Sequence, residues 1–307
     1  MHKAIVIGGP TASGKTGLSI ELAKAINGEI VSCDSMQIYK DMNIGTAKPT
    51  KEEMQGINHY LIDYVSPEIR YSVADYKRDA IKAINEIISK GKVPIIVGGT
   101  GLYVESIIYG IEYKETKLDI EYRNELDKIA KEEGLEKLYD IAERIDKKAM
   151  EKISHNDKKR IYRVLEIYHS TGKTKTELEI ESRKNGPEFD FILFGINMDR
   201  EKLYDRINKR VDIMIENGLI DEVKELLKKY KKFPTAMQGL GYKEVVEYLD
   251  GKLTKEEMIE KIKMETRRYA KRQLTWFRKY KNIIWLDGLE PINKNIDIIV
   301  SEYSKWV

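Results

Sequence analysis

The sequence predicts an α/β protein whose parallel-sheet core is interrupted by a helical insertion. In the first 100 residues, short apolar runs alternate with helical patterns, which is typical of a doubly wound parallel sheet. From about residue 116 to residue 185 we find no strand-like run, only charged segments with helical spacing. We therefore expect a core made of residues 1–115 and 186–307, and an insertion made of residues 116–185.

The strands of the core are predicted from short apolar runs that end at a glycine or an acid. Such continuous runs are typical of strands that are buried on both faces of a parallel sheet. The predicted strands are residues 4–7, 30–33, 93–97, 191–196 and 283–286.

Helices are predicted where apolar residues recur at helical spacing. In the core, the helix that follows Ser72 and the helix at 255–280 each begin with a capping-box pattern. The predicted helices are residues 16–26, 73–89 and 255–280 in the core, and 119–133, 135–151, 157–170 and 174–182 in the insertion.

The composition is that of a soluble globular protein, and it excludes several classes of site. The 54 basic residues nearly balance the 51 acidic ones, so the net charge of +3 indicates no partner. The single cysteine, Cys33, excludes an intrachain disulfide and fits a reducing compartment, so we expect a cytoplasmic protein. The four scattered histidines exclude a zinc site built from Cys and His. No apolar run reaches the ~18 residues of a membrane helix, so we expect no membrane partner. We also expect the protein to be a monomer.

A phosphate-binding motif lies between the first predicted strand and the first predicted helix. Its pattern, GxxxxGK[ST], is that of a P-loop, in which backbone N–H groups and a helix N-terminus surround a phosphate chain. Lys15 would add a positive charge, and the hydroxyl of Thr16 could reach Mg²⁺. The motif predicts a P-loop NTPase-like core that binds a diphosphate or triphosphate, through Gly9, Pro10, Thr11, Ala12, Ser13, Gly14, Lys15 and Thr16.

Among the predicted strands of the first 100 residues, only the strand at 30–33 is directly followed by an acid, Asp34. A carboxylate at the C-terminal end of a strand in an open sheet is placed to act on a ligand. An aspartate in this position is equally typical of an Asx turn. The strand at 93–97 ends in Gly-Gly-Thr and supplies no acid to orient water, as a P-loop ATPase would need.

Two basic clusters stand out against the neutral total. Residues 267–281 contain seven basic residues and no acid, and on a helix these seven lie within roughly half of the circumference. Such a stripe is usually a solvated face, but the lack of any acid favours a nucleic-acid backbone as partner. The second, smaller cluster is Lys158, Lys159 and Arg160 with Arg163.

Several segments in a fixed order resemble one known family. They are Gly9–Thr16, Asp34–Tyr39, Met42–Pro49, Gly98–Tyr103, Asn156–Asp157, Arg160–Glu166, Gly172–Thr174 and Lys271–Trp276. Over nearly the whole chain, this set resembles the bacterial tRNA dimethylallyltransferases, also called tRNA isopentenyltransferases. The family transfers a dimethylallyl group from its diphosphate to the N6 amine of the adenosine 3′ of the anticodon in tRNA, and releases diphosphate.

The resemblance implies a role for particular residues of this chain. Asp34 would accept the amine proton, Thr100 would position the base or the diphosphate, and Arg210 would hold the diphosphate together with the P-loop and a Thr16-bound Mg²⁺. Asp34, Ser35, Met36 and Gln37 would contact the flipped-out base and its neighbours. The residues expected to contact the anticodon arm are Lys158, Lys159, Arg160, Ile161, Tyr162, Arg163, Lys271, Arg272, Gln273, Thr275, Trp276 and Arg278.

Three other functions remain as alternatives. A P-loop kinase for a small molecule would use the same loop for ATP, but neither the basic helix nor the long insertion favours it. An adenylate isopentenyltransferase would share the core, although such relatives tend to lack the basic C-terminal helix motif. A non-catalytic RNA-binding protein with a relic P-loop would not need the intact Gly14-Lys15-Thr16 together with Asp34.

Overall fold

The computed structural model describes residues 1–113 and 119–306 of the chain. These residues form two units, the first made of 1–108 with 188–307 and the second of 109–187. The expected insertion, 116–185, falls inside the second unit, and its first three residues lie outside the described part. None of the helices in the described ranges is long and apolar enough to cross a membrane.

The elements follow one another along the chain in three stretches. The first stretch contains β1 (Lys3–Gly8), α1 (Lys15–Ala25), β2 (Gly28–Ser32), α2 (Lys51–Met54), β3 (His59–Tyr60), α3 (Val73–Ser89), β4 (Val93–Gly98) and α4 (Gly101–Ile108). The second contains α5 (Ile120–Glu132), α6 (Leu135–Ile145), α7 (Lys147–Met150), α8 (Lys158–Thr171) and α9 (Lys175–Glu181). The third contains β5 (Asp190–Asn197), α10 (Arg200–Glu216), α11 (Leu219–Lys229), a 3₁₀ turn (Ala236–Gln238), α12 (Tyr242–Leu249), α13 (Lys255–Phe277), β6 (Ile284–Asp287) and α14 (Ile292–Trp306).

The six strands form one parallel sheet in the order β3-β2-β4-β1-β5-β6. The central strand β1 pairs with β4 on one side and β5 on the other, so that Ile7 lies opposite both Val97 and Phe194. Since all strands run the same way, their carboxyl ends meet at one edge, where β1 leads into the P-loop and β2 into Asp34. The prediction of an α/β fold with a parallel-sheet core is confirmed.

Alternate residues of the central strands pack on opposite faces of the sheet. Ala4 and Val6 belong to a core shared with α3 and α4, whereas Ile5 and Ile7 belong to a core shared with α1 and α14. Every one of these four side chains is at most 1% exposed. This burial on both faces explains why the strands read as continuous apolar runs rather than as alternating patterns.

The second unit is a helical bundle with its own core, built mainly from α5, α6 and α8. The sequence predicts a single helix at 135–151. This prediction is wrong, because α6 ends at Ile145 and α7 begins at Lys147. Asp146 stands at the break, and its carboxylate accepts hydrogen bonds from the Ala149 N–H and from the N–H and hydroxyl of Thr176. A capping side chain competes with helix continuation at such a position.

The basic helix is shorter than predicted. The sequence places its end at residue 280, but α13 ends at Phe277 and the chain continues in turns, with the N–H of Tyr280 bonded to the Phe277 carbonyl. Tyr280 is buried and anchors these turns against the sheet. Arg278 is therefore the C-cap residue, Lys279 and Lys281 lie beyond the helix, and the basic face of α13 is smaller than the seven residues expected.

Candidate active site

A cavity of about 540 Å³ opens at the carboxyl edge of the sheet in the first unit. Its walls combine the P-loop, the turn after β2, the end of β4 and one side of α10 and α13. The lining includes Thr11–Thr16, Asp34–Gln37, Gly45–Ala47, Gly98, Gly99, Ile207, Arg210, Val211, Met214, Gln238–Lys243, Tyr269, Arg272 and Gln273.

The P-loop bends from β1 into α1 as the motif predicts. Gly14 directly precedes the helix with a φ of 91°, a left-handed conformation that favours glycine. Six of the eight residues predicted to bind the diphosphate, Thr11 to Thr16, line the cavity, whereas Gly9 and Pro10 do not. The carbonyl groups of Gly9 and Pro10 instead hold the ammonium group of Lys15, at 3.0 Å and 2.5 Å.

Lys15 and Arg210 place two positive charges in this cavity. Arg210 donates to the Thr11 hydroxyl at 3.4 Å. Burial and the nearby Arg210 lower the pKa of Lys15 to about 7, against the opposing effect of Asp34. Burial also lowers the pKa of Arg210. Within the described ranges neither cation has an ion pair within 4 Å, so both are available to an anionic ligand in the cavity.

The donor set fits a Mg²⁺ held mainly by a phosphate ligand. Thr16 lies in the cavity lining at the start of α1, and its hydroxyl has no hydrogen-bond partner in the part of the chain that the structure describes. Within that same part, no group of three or more His, Cys, Asp or Glu side chains could hold a metal by itself. Mg²⁺ commonly takes few protein ligands and fills its shell with water and substrate phosphates, which suits a single hydroxyl.

The two readings of Asp34 that the sequence leaves open apply to different oxygens of its carboxylate. Oδ1 accepts hydrogen bonds from the N–H groups of Met36 at 2.8 Å and Gln37 at 3.2 Å, which is an Asx turn. Oδ2 has no hydrogen-bond partner among residues 1–113 and 119–306. Since Asp34 lines the cavity, this second oxygen is available to a ligand there.

Thr100 holds the Asp34 turn and does not line the cavity. Its hydroxyl accepts a hydrogen bond from the Ser35 N–H at 3.1 Å and lies 3.4 Å from the Ser35 hydroxyl. Tyr269, which does line the cavity, places its hydroxyl toward Thr100. Of the two roles expected for Thr100, this geometry supports positioning of the base rather than of the diphosphate.

The turn after β4 leaves no room for side chains where it meets the Cys33 backbone and two side chains of α13. A methyl group built at Gly98 would lie 2.1 Å from the Cys33 carbonyl oxygen, and one at Gly99 would lie 2.0 Å from the amide nitrogen of Gln273. At Gly101 it would lie 2.3 Å from the ring of Trp276. Only glycine lets β4 approach both the Asp34 segment and α13 this closely.

The residues predicted to contact RNA divide into exposed and buried groups. On α8 the exposed members are Lys158, Lys159, Arg160 and Arg163. Ile161 and Tyr162, in contrast, are 0% and 1% exposed and belong to the core of the helical unit. The helical repeat turns these two side chains away from the charged face, and their contact with RNA stays a prediction.

On α13 the expected contacts divide in the same way. Lys271, Thr275 and Arg278 are exposed, whereas the ring of Trp276 packs over Gly101 and Gln273 is 5% exposed. Arg272 is exposed but also lines the cavity, so it stands apart from the rest of the basic face. Ser35, Met36 and Gln37 all line the cavity beside Asp34.

One wall of the cavity was not predicted from the sequence. Glu222, in the first turn of α11, accepts hydrogen bonds from the N–H groups of Asn43, Ile44 and Gly45 at 2.8–3.2 Å and from the Tyr242 hydroxyl at 2.6 Å. It thereby fixes the 43–47 loop against α12. These partners are up to 179 residues apart in the chain, and the only sequence signal was the resemblance over Met42–Pro49.

Comparisons with known proteins agree on one family. A model described as IPP transferase matches residues 37–280, a range that begins after the P-loop. The tRNA dimethylallyltransferase of Acetivibrio thermocellus is 54% identical over 309 residues, covering 99% of both chains. That of Carboxydothermus hydrogenoformans is 50% identical, covering 98% of this chain and 97% of the relative.

Solved structures with the same core extend the likeness to three dimensions. The full-length tRNA isopentenylpyrophosphate transferase of Bacillus halodurans has a TM-score of 0.75 at 43% identity, covering 99% of this chain and 96% of that one. A eukaryotic dimethylallyltransferase acting on tRNA has a TM-score of 0.78 at 34% identity, covering 94% of this chain and 74% of that one. The P-loop NTPase-like core and the resemblance drawn from the motifs are confirmed, and the chain belongs to the IPP transferase family.

Proposed function

We propose that this protein transfers a dimethylallyl group from dimethylallyl diphosphate to the N6 amine of the adenosine 3′ of the anticodon in tRNA. The nitrogen lone pair forms a bond to the allylic carbon, the carbon–oxygen bond to the diphosphate breaks, and the diphosphate leaves with the bonding electrons. The amine proton passes to Asp34. The relatives named above support the class of reaction and of substrate.

The observation that carries this proposal is the pairing of charges in one cavity. Lys15 and Arg210, which form no ion pair with any residue that the structure describes, are suited to a leaving diphosphate. The unpartnered Oδ2 of Asp34, in the same lining, is suited to take a proton from the attacking amine. When bound, Mg²⁺ supplies further positive charge to the diphosphate, and the Thr16 hydroxyl would hold it.

Other side chains would contact the dimethylallyl group, the nucleobase and the rest of the RNA. Ile207, Val211 and Met214 line it from α10 on both sides of Arg210, and give an apolar surface for the five-carbon chain. Ser35, Met36 and Gln37 would contact the base and its neighbours. The exposed cations of α8 and α13 would contact the anticodon arm. A tRNA substrate supports the expected cytoplasmic location.

The direct test is mass spectrometry of the nucleosides of unmodified tRNA after incubation with the protein, Mg²⁺ and dimethylallyl diphosphate. We expect one adenosine per tRNA to gain a dimethylallyl group. Parallel reactions replace the tRNA by AMP, or the donor by labelled ATP. Transfer to AMP alone would indicate an adenylate isopentenyltransferase, and phosphoryl transfer from ATP would indicate a kinase.

Affinity for the diphosphate is expected to fall as the pH rises above about 7. The pKa of Lys15 is about 7 in the free protein, and an adjacent anion raises it in the complex. The ligand therefore selects the protonated form, and affinity should drop by up to about tenfold per pH unit above 7. Calorimetry at pH 8, in two buffers that differ in ionisation enthalpy, should show proton uptake.

The matched control for this pH dependence is Lys15→Arg, whose guanidinium stays charged over the same range. We expect this variant to bind without proton uptake at Lys15 and without the fall above pH 7. Binding by the wild-type protein without proton uptake at pH 8 would contradict the assignment of Lys15 as the titrating group.

The basic face of α13 is expected to bind the RNA backbone without reading bases. Lys271 and Arg278 are exposed and form no ion pair among the described residues. Each phosphate contact adds about 0.7–0.9 to the slope of log affinity against log salt. The double variant Lys271→Ala/Arg278→Ala should therefore flatten that slope by roughly one unit or more, equally for different substrate tRNAs.

Turnover at saturating tRNA should persist in this double variant, because neither residue lines the cavity. Arg272 is left unchanged since it does line the cavity. The control is Lys82→Ala/Lys202→Ala, which removes two exposed lysines on α3 and α10 that form no ion pair within residues 1–113 and 119–306. An equal slope in the two double variants would mean that the α13 stripe is only a solvated face.

A further inference from the structure

Gln273 is a buried polar residue on the inner side of the basic helix α13. Its side-chain carbonyl accepts a hydrogen bond from the Thr11 N–H at 2.8 Å, and its amide donates to the Gly99 carbonyl at 3.1 Å. The residue is 5% exposed. Both polar ends of this side chain are thus used within the protein, which differs from the RNA contact expected for Gln273 from the sequence.

Each of these two bonds leads to one half of the proposed site. Thr11 belongs to the P-loop, and its hydroxyl accepts a hydrogen bond from Arg210. Gly99 directly precedes Thr100, whose hydroxyl holds the turn that carries Asp34. The Gln273 amide is therefore hydrogen-bonded both to the P-loop, on the diphosphate side of the cavity, and to the segment that holds the Asp34 turn.

The same helix presents its opposite side to solvent next to this amide. Lys271 lies two residues before Gln273 and is exposed, and Arg278, the exposed C-cap residue, directly follows the helix. Since a helix moves as a rigid element over so short a distance, whatever fixes these cations also fixes Gln273. The contact at Gly99, where no side chain fits, leaves little room for the amide to shift.

We propose that Gln273 is a positioning residue that couples RNA bound on α13 to diphosphate bound in the P-loop. This inference rests on the proposed function. RNA bound to the exposed side of α13 would fix this helix, and with it Gln273. The hydrogen bonds of Gln273 would then order the backbones of Thr11 and Gly99. The P-loop would therefore lose less conformational freedom when the diphosphate binds. The coupling is reciprocal, so diphosphate tightens RNA binding by the same factor.

The test measures the affinity of the protein for inorganic diphosphate with Mg²⁺, without RNA and with a saturating anticodon stem-loop. Inorganic diphosphate carries no dimethylallyl group, so no transfer takes place during the titration. For the wild-type protein we expect RNA to tighten the diphosphate by about fivefold or more, the lower end of usual coupling factors. The Gln273→Met variant should bind diphosphate about tenfold more weakly, with an RNA effect close to onefold.

Two further variants separate positioning from a loss of stability. Gln273→Asn keeps the amide but is one methylene shorter, so at most one bond survives and both effects should be intermediate. Asn295→Ala, on α14, removes another buried amide that donates to a backbone carbonyl, that of Asp287. It should lower the melting temperature and leave the diphosphate affinity and the RNA effect unchanged.

The outcomes decide between this inference and its failure. A wild-type protein whose diphosphate affinity is unaffected by RNA overturns the coupling, and so does a Gln273→Met or Gln273→Asn variant that keeps the full RNA effect. The proposed function is judged separately, by the mass of the tRNA nucleosides. A protein can modify tRNA without this coupling, or show the coupling and modify nothing.

Discussion

Replacing Asp34 by asparagine is expected to slow transfer by about 10²–10⁴-fold, the usual cost of removing a general base. The asparagine side-chain carbonyl can still accept the N–H groups of Met36 and Gln37, so the turn should persist. What disappears is the negative charge and proton affinity of Oδ2. The rate should be measured in a single turnover at saturating tRNA and dimethylallyl diphosphate, where binding no longer limits it.

Asp34→Ala provides the matched comparison, because it removes the base and the turn together. We expect a rate at least as low as that of Asp34→Asn, with an additional loss of thermal stability from the two freed N–H groups. RNA affinity should be nearly unchanged in Asp34→Asn. If Asp34→Asn turned over at nearly the wild-type rate, Asp34 would be a turn residue only.

Removing either cation of the cavity is expected to lower kcat/KM for dimethylallyl diphosphate by about 10²–10³-fold. This is the usual cost of losing one preorganised donor to charge that develops in the transition state. The variants are Lys15→Met and Arg210→Met, which keep side-chain length without charge. The control is Lys209→Met, since Lys209 is exposed and directly precedes Arg210 in α10. RNA affinity should be unchanged in all three variants.

The losses of kcat/KM caused by removing the two cations should not be additive. Lys15 lies among the P-loop carbonyls and Arg210 on the Thr11 hydroxyl, so under the proposed function both would contact the same anion from different elements. Since they act on one group, we expect Lys15→Met/Arg210→Met to lose less than the product of the single losses. A variant that loses RNA affinity while keeping diphosphate affinity would place that cation in the wrong half of the site.

The parts of the site that could be predicted from the sequence are those that are contiguous in the chain. The P-loop is one eight-residue segment, and each residue needed for its turn is adjacent to the next. Asp34 follows its strand directly, so its position at the sheet edge could be predicted. Which of its two carboxylate oxygens accepts hydrogen bonds within the turn could not be predicted, because this depends on where the turn places the N–H groups.

The rest of the site depends on contacts between distant parts of the chain. Gln273 and Thr11 are 262 residues apart, and no local pattern connects them. Ile161 and Tyr162 belong to a contiguous motif, and the motif alone did not indicate that the helical repeat places both side chains in the core. In the fold, β3 was missed because two residues, His59–Tyr60, form no recognisable apolar run.

The glycine turn after β4 has a consequence for how this sequence can vary during evolution. Gly98, Gly99 and Gly101 each meet a different neighbour at less than 2.5 Å from where a side chain would begin. A change at Gly98 meets main chain and has no compensating substitution. At Gly99 and Gly101 the obstacle is a side chain, so a larger residue there becomes acceptable only after Gln273 or Trp276 has become smaller. Positions 99 and 273, and likewise 101 and 276, should therefore be inherited as pairs, and each path between two functional combinations passes through an intermediate of lower fitness.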